Sequence, residues 1–157
     1  MAFSLYPIGK IITNHGQSCL QINREYVAAL MGLEGFSHIQ VLWWFDGCDT
    51  AQERAKLIET KPYVHGPDRV GVFAMRSPSR PNPIALSCAG VTFVDYENGI
   101  VGLTYIDANN GSPLLDIKPY TPSLDRVETP RVPSWCAHWP ASCESSGDFD
   151  WESEFNF

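Results

Sequence analysis

Basic residues are scarce. Eleven Lys and Arg stand against eighteen Asp and Glu, a formal net charge of −7. Phosphate neutralisation by Lys and Arg supplies most non-specific affinity for nucleic acid, so a uniformly basic coat is excluded and any such partner must meet a local basic face. The first thirty residues hold no basic segment followed by an apolar run, and no apolar stretch reaches eighteen residues. Neither export nor membrane spanning is therefore expected, and the protein is assigned to the cytoplasm. The five cysteines (Cys19, Cys48, Cys88, Cys136, Cys143) are odd in number and lack a CxxC pair, which fits reduced thiols rather than a disulfide framework. A GxGxxG turn, βαβ alternation and an internal repeat are also missing, so a Rossmann-type cofactor site has no support.

Apolar residues make up 44% of the chain and aromatics 12%, enough for a core at this length. Strands are expected at Phe3–Thr13, with Ser18–Ile22 as partner across Gly16, then at 38–46 (HIQVLWWFD, buried on both faces), 70–75, 86–96 and 100–107. Glu97, Asn98 and Gly99 read as a hairpin turn between the last two. Short helices are expected at 24–31 and 50–59. Many short strands with Gly and Pro turns and only two helical candidates predict a mainly β fold, a compact closed barrel with a few short peripheral helices. This barrel domain is expected over residues 1–142. The segment 143–157 carries five acidic residues and no basic one, and reads as a solvated, acidic and aromatic tail.

Three segments carry chemistry. In RVGVFAMRSPSRPNPIALS (69–87), Pro78, Pro81 and Pro83 stiffen a loop that presents Arg76 and Arg80. In an extended polyproline conformation their backbones lie about 12 Å apart, a span that suits two anionic or polar groups on one ligand; a rigid connector with solvated arginines has the same composition. In GSPLLDIKPY (111–120), period-2 alternation places Asp116, Lys118 and Tyr120 on one face of an extended segment, although Asp116 and Lys118 would also suit a surface ion pair. Asp107, Asn109 and Asn110 sit where a strand gives way to a turn. His38 reads as a strand-end histidine. Cys136, His138 and Cys143 are loosely spaced like metal ligands but lack the paired spacing of a structural zinc site, so no metal is assigned. Trp135 and Trp139 read as packing that ties the C-terminal segment to the barrel.

Taken with GLEGFSH (32–38) and NGSPLLDIKPYTP (110–122), the proline segment resembles the TrmO family, also called TsaA-like or YaeB-like proteins. The likeness spans roughly residues 5–127, with three motifs agreeing in order and spacing. The resemblance implies a dimeric β-barrel that binds S-adenosylmethionine outside a Rossmann fold and methylates N6 of threonylcarbamoyladenosine beside the anticodon of tRNA. It places Phe45, Asp46, Arg76, Leu86 and Asp107, Ala108, Asn109 and Asn110 at the methyl donor. Asp46 stands where the family often has His. Asp116, Lys118 and Arg80 become the catalytic candidates: Asp116 as base or acceptor at N6, Arg80 and Lys118 as the handle for the threonyl carboxylate. Arg80, Asn82, Lys118 and Tyr120 form the expected acceptor site. Arg69, Arg76, Arg80, Lys118, Arg126 and Arg131 are candidates for a basic face toward tRNA. Two other readings keep part of this frame, one with a small-molecule or different RNA acceptor, the other a cofactor-sensing or RNA-binding module without catalysis.

Overall fold

The structure is a computed structural model that describes residues 4–157. Its strands are β1 (Gly9–Asn14), β2 (Gln17–Ile22), β3 (His38–Trp44), β4 (Ile58–Thr60), β5 (Arg69–Gly71), β6 (Ile84–Asp95), β7 (Ile100–Leu103) and β8 (Pro113–Pro119). The chain forms two compact units, one from residues up to Asp49 with Asn82–Arg126, the other from Thr50–Pro81 with Val127–Phe157.

The first unit is a closed barrel of antiparallel pairs in the order β1-β2-β7-β6-β3-β8, as the strand-rich pattern predicts. Closure removes the unpaired edges that an open sheet exposes. Alternation sends Ile11, Leu20, Ile39, Val41, Val101 and Leu114 inward, all at 0% exposure, around Trp43. Each such side chain contributes about 1.5–3 kcal/mol by leaving water. Trp43 satisfies its indole by donating to Ser87 Oγ at 3.0 Å. The chain folds this tightly partly because Gly9 has no side chain; a Cβ there would lie 2.1 Å from the Gln21 carbonyl oxygen.

Several elements differ from expectation. β3 is buried on one face only: His38, Gln40, Leu42 and Trp44 stay half-buried while Ile39, Val41 and Trp43 enter the core. The expected strand start at Phe3 lies outside the described residues, and β1 begins at Gly9. The predicted helix over 24–31 is a 3-10 helix, Arg24–Leu30. The helix over 50–59 is a single turn, α1 (Ala51–Arg54), capped by Thr50 Oγ1, after which the chain extends into β4. Residues 72–74 tighten into a 3-10 turn instead of prolonging β5, and β7 stops at Leu103. A second short helix, α2 (Pro122–Asp125), follows β8.

The second unit pairs β4 with β5 and adds α3 (Cys143–Ser146) and short 3-10 turns. Its core is aromatic. Tyr63 stacks on Trp135 (centroids 4.8 Å) and meets Trp139 and Phe155 at 5.4 and 5.7 Å. Trp135 and Trp139 thus pack on Tyr63, within their own unit. The acidic segment is not wholly solvated either: Glu154 is only 5% exposed and Phe155 forms a β-bridge with Tyr63. Trp139 Nε1, then His138, hold the Glu154 carboxyl below the usual carboxylate range by hydrogen bonding. All five cysteines are free. Among the described residues no helix is long and apolar enough to cross a membrane.

Asp95 organises the β6–β7 turn. Its Oδ1 accepts the Glu97 and Asn98 amides at 3.0 Å and its Oδ2 accepts Asn98 Nδ2 at 2.8 Å. The Asn98 side chain and backbone bonds lower its pKa. A depressed folded-state pKa gives stability that is present above the unfolded value and disappears as pH falls through the folded one. We therefore expect Asp95→Ala to lower Tm at neutral pH, with the gap to the parent closing as pH falls below the ordinary aspartate range; thermal melts across pH check this.

Candidate functional site

The barrel register brings most of the expected site residues to one end and one face of the first unit. β3 runs toward Phe45 and Asp46, β6 starts beside it, and β8 starts opposite it, since Trp44 pairs with Ile84 and Trp43 with Leu114. Phe45, Asp46, Asn82 and the 107–112 loop therefore share that end. The Phe45 amide donates to Pro83 O at 2.9 Å, and its ring meets Trp43 edge-on at 4.8 Å. Asp46 is exposed in the turn completed by Gly47, whose φ is +79°.

The 107–112 loop is laid along β1. Ile11 N donates to Ser112 O at 2.9 Å and Gly111 N to Ile11 O at 2.8 Å, which prolongs the β1–β8 ladder past Lys10 and Pro113. Gly111 has φ +90°, a left-handed conformation that glycine adopts without a Cβ penalty. Thr13 then clamps the loop twice. Its amide donates to Asn110 Oδ1 at 3.0 Å, and its hydroxyl to Ala108 O at 3.3 Å. Asp107 and Asn109 remain exposed. Ser112 is 1% exposed, and its Oγ has no hydrogen-bond partner among the described residues. A buried hydroxyl without a partner is uncommon in a native fold.

On the outer face, Leu42 pairs with Leu86 on one side and with Asp116 on the other. Residues opposite each other in antiparallel strands present their side chains to the same face, so Leu86, Leu42 and Asp116 form one row, and Cys88, Gln40 and Lys118 the next. Leu86 is 45% exposed. The alternation expected for GSPLLDIKPY holds for Asp116 and Lys118 despite a bulge between Leu114 and Asp116. Lys118 Nζ lies 2.8 Å from Asp116 Oδ2, with side chains 63% and 46% exposed. The hydrogen bond to Asp116, then its charge, raises the Lys118 pKa. Such an exposed pair is weak in water and screened by salt, so it exchanges partners at little cost. Tyr120 follows the strand, its ring edge-on to His38 at 6.4 Å.

Among the described residues, the clefts of this unit include two shallow ones. One of about 330 Å³ is lined mostly by apolar residues, among them Ile8, Ile22, Leu30, Met31 and Phe36, together with Asp116. The other, about 410 Å³, lies between Val27, Met31, Glu34 and Tyr96. Neither includes Phe45, Asp46, Leu86 or the 107–112 loop. Cleft size and the assigned donor residues thus disagree. Both clefts are open, mostly apolar surface depressions.

Arg76 and Arg80 belong to the second unit, and the structure separates their roles. Arg76 is exposed. Arg80 is half-buried and turns back on its own loop: Nε donates to Ser77 O at 2.9 Å, and one terminal nitrogen to Val72 O and Met75 O at 2.6 and 2.5 Å. Three backbone carbonyls therefore take up much of the fork that sequence reasoning reserved for a ligand. The loop is further tied by Ser79 Oγ, which donates to Glu53 Oε2. Sequence reasoning missed Thr13 and Leu42. Alternation in HIQVLWW marks Leu42 as outward, whereas nothing local in the sequence links Thr13 to Asn110.

The tRNA-methyltransferase O N-terminal domain family profile matches residues 4–126. A probable S-adenosyl-L-methionine-binding protein of Pyrococcus abyssi is 37% identical over 126 residues, 80% of this chain and 64% of that protein. The human tRNA (adenine(37)-N6)-methyltransferase is 36% identical over 78% of this chain, which spans 27% of its length. A Methanocaldococcus jannaschii protein, named as a probable S-adenosyl-L-methionine-binding protein, is 38% identical, with 96% of it covered. A crystal structure of TrmO superposes with a TM-score of 0.65 at 30% identity, over 84% of this chain and 64% of that one. The chain thus spans less than two thirds of several of these relatives.

Removing Arg80 tests its place in the loop. Arg80→Ala is expected to destabilise the second unit by roughly 2–4 kcal/mol, as buried carbonyls lose charge-assisted donors, and Arg80→Lys to recover only part of that, because an ammonium cannot fork. Hydrogen exchange over residues 72–80 reads the effect; parent-like protection in Arg80→Ala would contradict it.

Proposed function

The chain belongs to the tRNA-methyltransferase O N-terminal domain family, and from that premise we propose that it is an S-adenosylmethionine-dependent methyltransferase acting on N6 of threonylcarbamoyladenosine beside the anticodon of tRNA. The observation that carries this reading is the shared barrel end of Phe45, Asp46 and the β1-clamped 107–112 loop, with Asp116 on the adjoining face. Its donor set fits the cofactor. Exposed carboxylates at Asp46 and Asp107 accept from amino and hydroxyl groups, Phe45 and Leu86 offer apolar surface, and the partnerless Ser112 hydroxyl adds polar capacity in the same loop.

When bound, S-adenosylmethionine supplies an electrophilic methyl group on a sulfonium. The protein's main task is then to hold the acceptor nitrogen in line, and positioning of this kind accounts for as much as about 7–11 kcal/mol of a barrel-bound reaction's rate gain. The N6 lone pair is delocalised into the ring and the urea, so Asp116 accepts the N6 hydrogen. Lys118 leaves Asp116 for the threonyl carboxylate, an exchange made easy by the exposure of their pair. This frees the Asp116 oxygen at the moment the acceptor arrives. Asn82 and Tyr120 complete the acceptor contacts. Arg80 shapes the proline loop of its own unit through its backbone bonds. A homodimer in the cytoplasm accompanies this proposal on the strength of the family resemblance.

The acidic charge favours one variant of this reading, in which the acceptor is a smaller molecule. Transfer of labelled methyl from S-adenosylmethionine to tRNA carrying threonylcarbamoyladenosine, set against unmodified tRNA and the free nucleoside, decides between them. Label at N6 only in the modified tRNA is the expected result; label confined to the nucleoside selects the smaller acceptor, and cofactor binding without transfer leaves a sensing module. Within the reaction, Asp116→Asn should reduce the single-turnover rate by about 10²–10⁴. Lys118→Ala should mainly raise KM for the modified tRNA. Unchanged single-turnover rates across pH in Asp116→Asn would remove Asp116 from the mechanism.

A further inference from the structure

The second unit holds a set of side chains that methyl transfer does not use. His65 lies in the connection between β4 and β5, His138 follows the 3-10 turn Ser134–Cys136, and Glu154 ends the 3-10 turn Trp151–Ser153. One ligand atom from each lies within 4.8 Å of the others. We propose that these three residues bind one Zn²⁺ ion, which fastens the C-terminal segment to the β4–β5 connection.

The chemistry of the set fits. Two imidazoles and one carboxylate, with a fourth position left for water, form a recurrent zinc environment. The carboxylate is already oriented. Glu154 Oε2 accepts the Trp139 indole N–H at 2.9 Å, which turns Oε1 toward His138 Nε2 at 2.7 Å. Outer contacts of this kind fix a ligand's rotamer before the ion arrives. A carboxylate this buried also needs a compensating charge or donors.

The backbone holds the segments together as well. Val64 N donates to Glu154 O at 2.9 Å, Asn156 N to Pro62 O at 3.1 Å, and Asn156 Nδ2 to Lys61 O at 2.9 Å. Glu154 is thereby anchored beside the residue that precedes His65. The His65 and His138 rings meet edge to face at 5.5 Å. In a tetrahedral site, donors at about 2.1 Å from the ion lie roughly 3.4 Å apart. The His138–Glu154 contact therefore opens slightly on binding, and the exposed His65 ring rotates inward. The cysteines that flank His138 in sequence do not join: buried Cys136 donates to Pro133 O at 3.4 Å, and Cys143 is exposed at the start of α3. The unit also stands to gain from an ion. Its buried core is Tyr63, Val70 and Met75, and its strands are three residues long, the kind of small core that metals commonly staple.

The test uses the untagged full chain, stripped with chelator and titrated with Zn²⁺ by calorimetry. One equivalent should bind, and Tm should rise with free Zn²⁺, as binding to the folded state requires. His65→Ala and His138→Ala should each weaken binding at least tenfold, while the far-UV spectrum stays that of the parent. Glu154→Gln risks unfolding the aromatic cluster, so the exposed His65 is the deciding position. Co²⁺ in place of Zn²⁺ should give ligand-field bands without thiolate charge transfer. Absence of saturable binding in the folded parent, parent-like affinity in His65→Ala, or a thiolate band would each overturn the assignment.

Discussion

The rest of the site depends on how β8 closes the barrel. β8 pairs with β3 along most of its length but meets β1 at only two positions, Gly9 with Leu114 and Lys10 with Pro113. Beyond those pairs the 109–112 segment continues the seam through Ile11, and Thr13 fastens it from β1. A loop that would otherwise run freely over the surface is thereby held as an extension of the sheet. The same closure lines up Leu86, Leu42 and Asp116 across three strands, so the fold's topology sets both the loop and the polar face next to it.

The two units rely on different physics. The barrel encloses aliphatic side chains at 0% exposure and leaves no open edge. The second unit has three-residue strands and one-turn helices, and is held by stacked aromatics, by Arg80 bonded to three carbonyls, and by the partners of Glu154. Arg80 shows how one residue type takes two roles in a short loop. A guanidinium four residues from Arg76 reads as a ligand fork, yet the neighbouring turn at Val72–Ala74 leaves carbonyls that its N–H groups satisfy.

Much of the barrel was legible in the sequence because period-2 alternation and Gly or Asn turns are local signals. The β1–β2 hairpin around Gly16 and the Glu97–Gly99 turn appear where that pattern puts them. Helices were less legible. The propensity of 50–59 extends past the one turn that forms, because β4 pairs with β5 and tertiary pairing overrides local preference. Asp116 and Lys118 share a face as alternation predicts, but their ion pair and the clamp from Thr13 to Asn110 join residues whose proximity only the fold creates. The set His65, His138 and Glu154 lay hidden for the same reason. Spacing pointed to Cys136 and Cys143 around His138, whereas the chain brings in a histidine from the β4–β5 connection and a glutamate from the acidic end.

The central claim is that the β1-clamped loop and the end of β3 hold the methyl donor. Titrating the ¹⁵N-labelled chain with S-adenosylmethionine and following its amide resonances tests this most directly. The account predicts saturable shifts at Thr13, Phe45, Asp46 and Ala108 through Ser112. Shifts confined to the apolar cleft around Met31 and Phe36, or none at all, would contradict it.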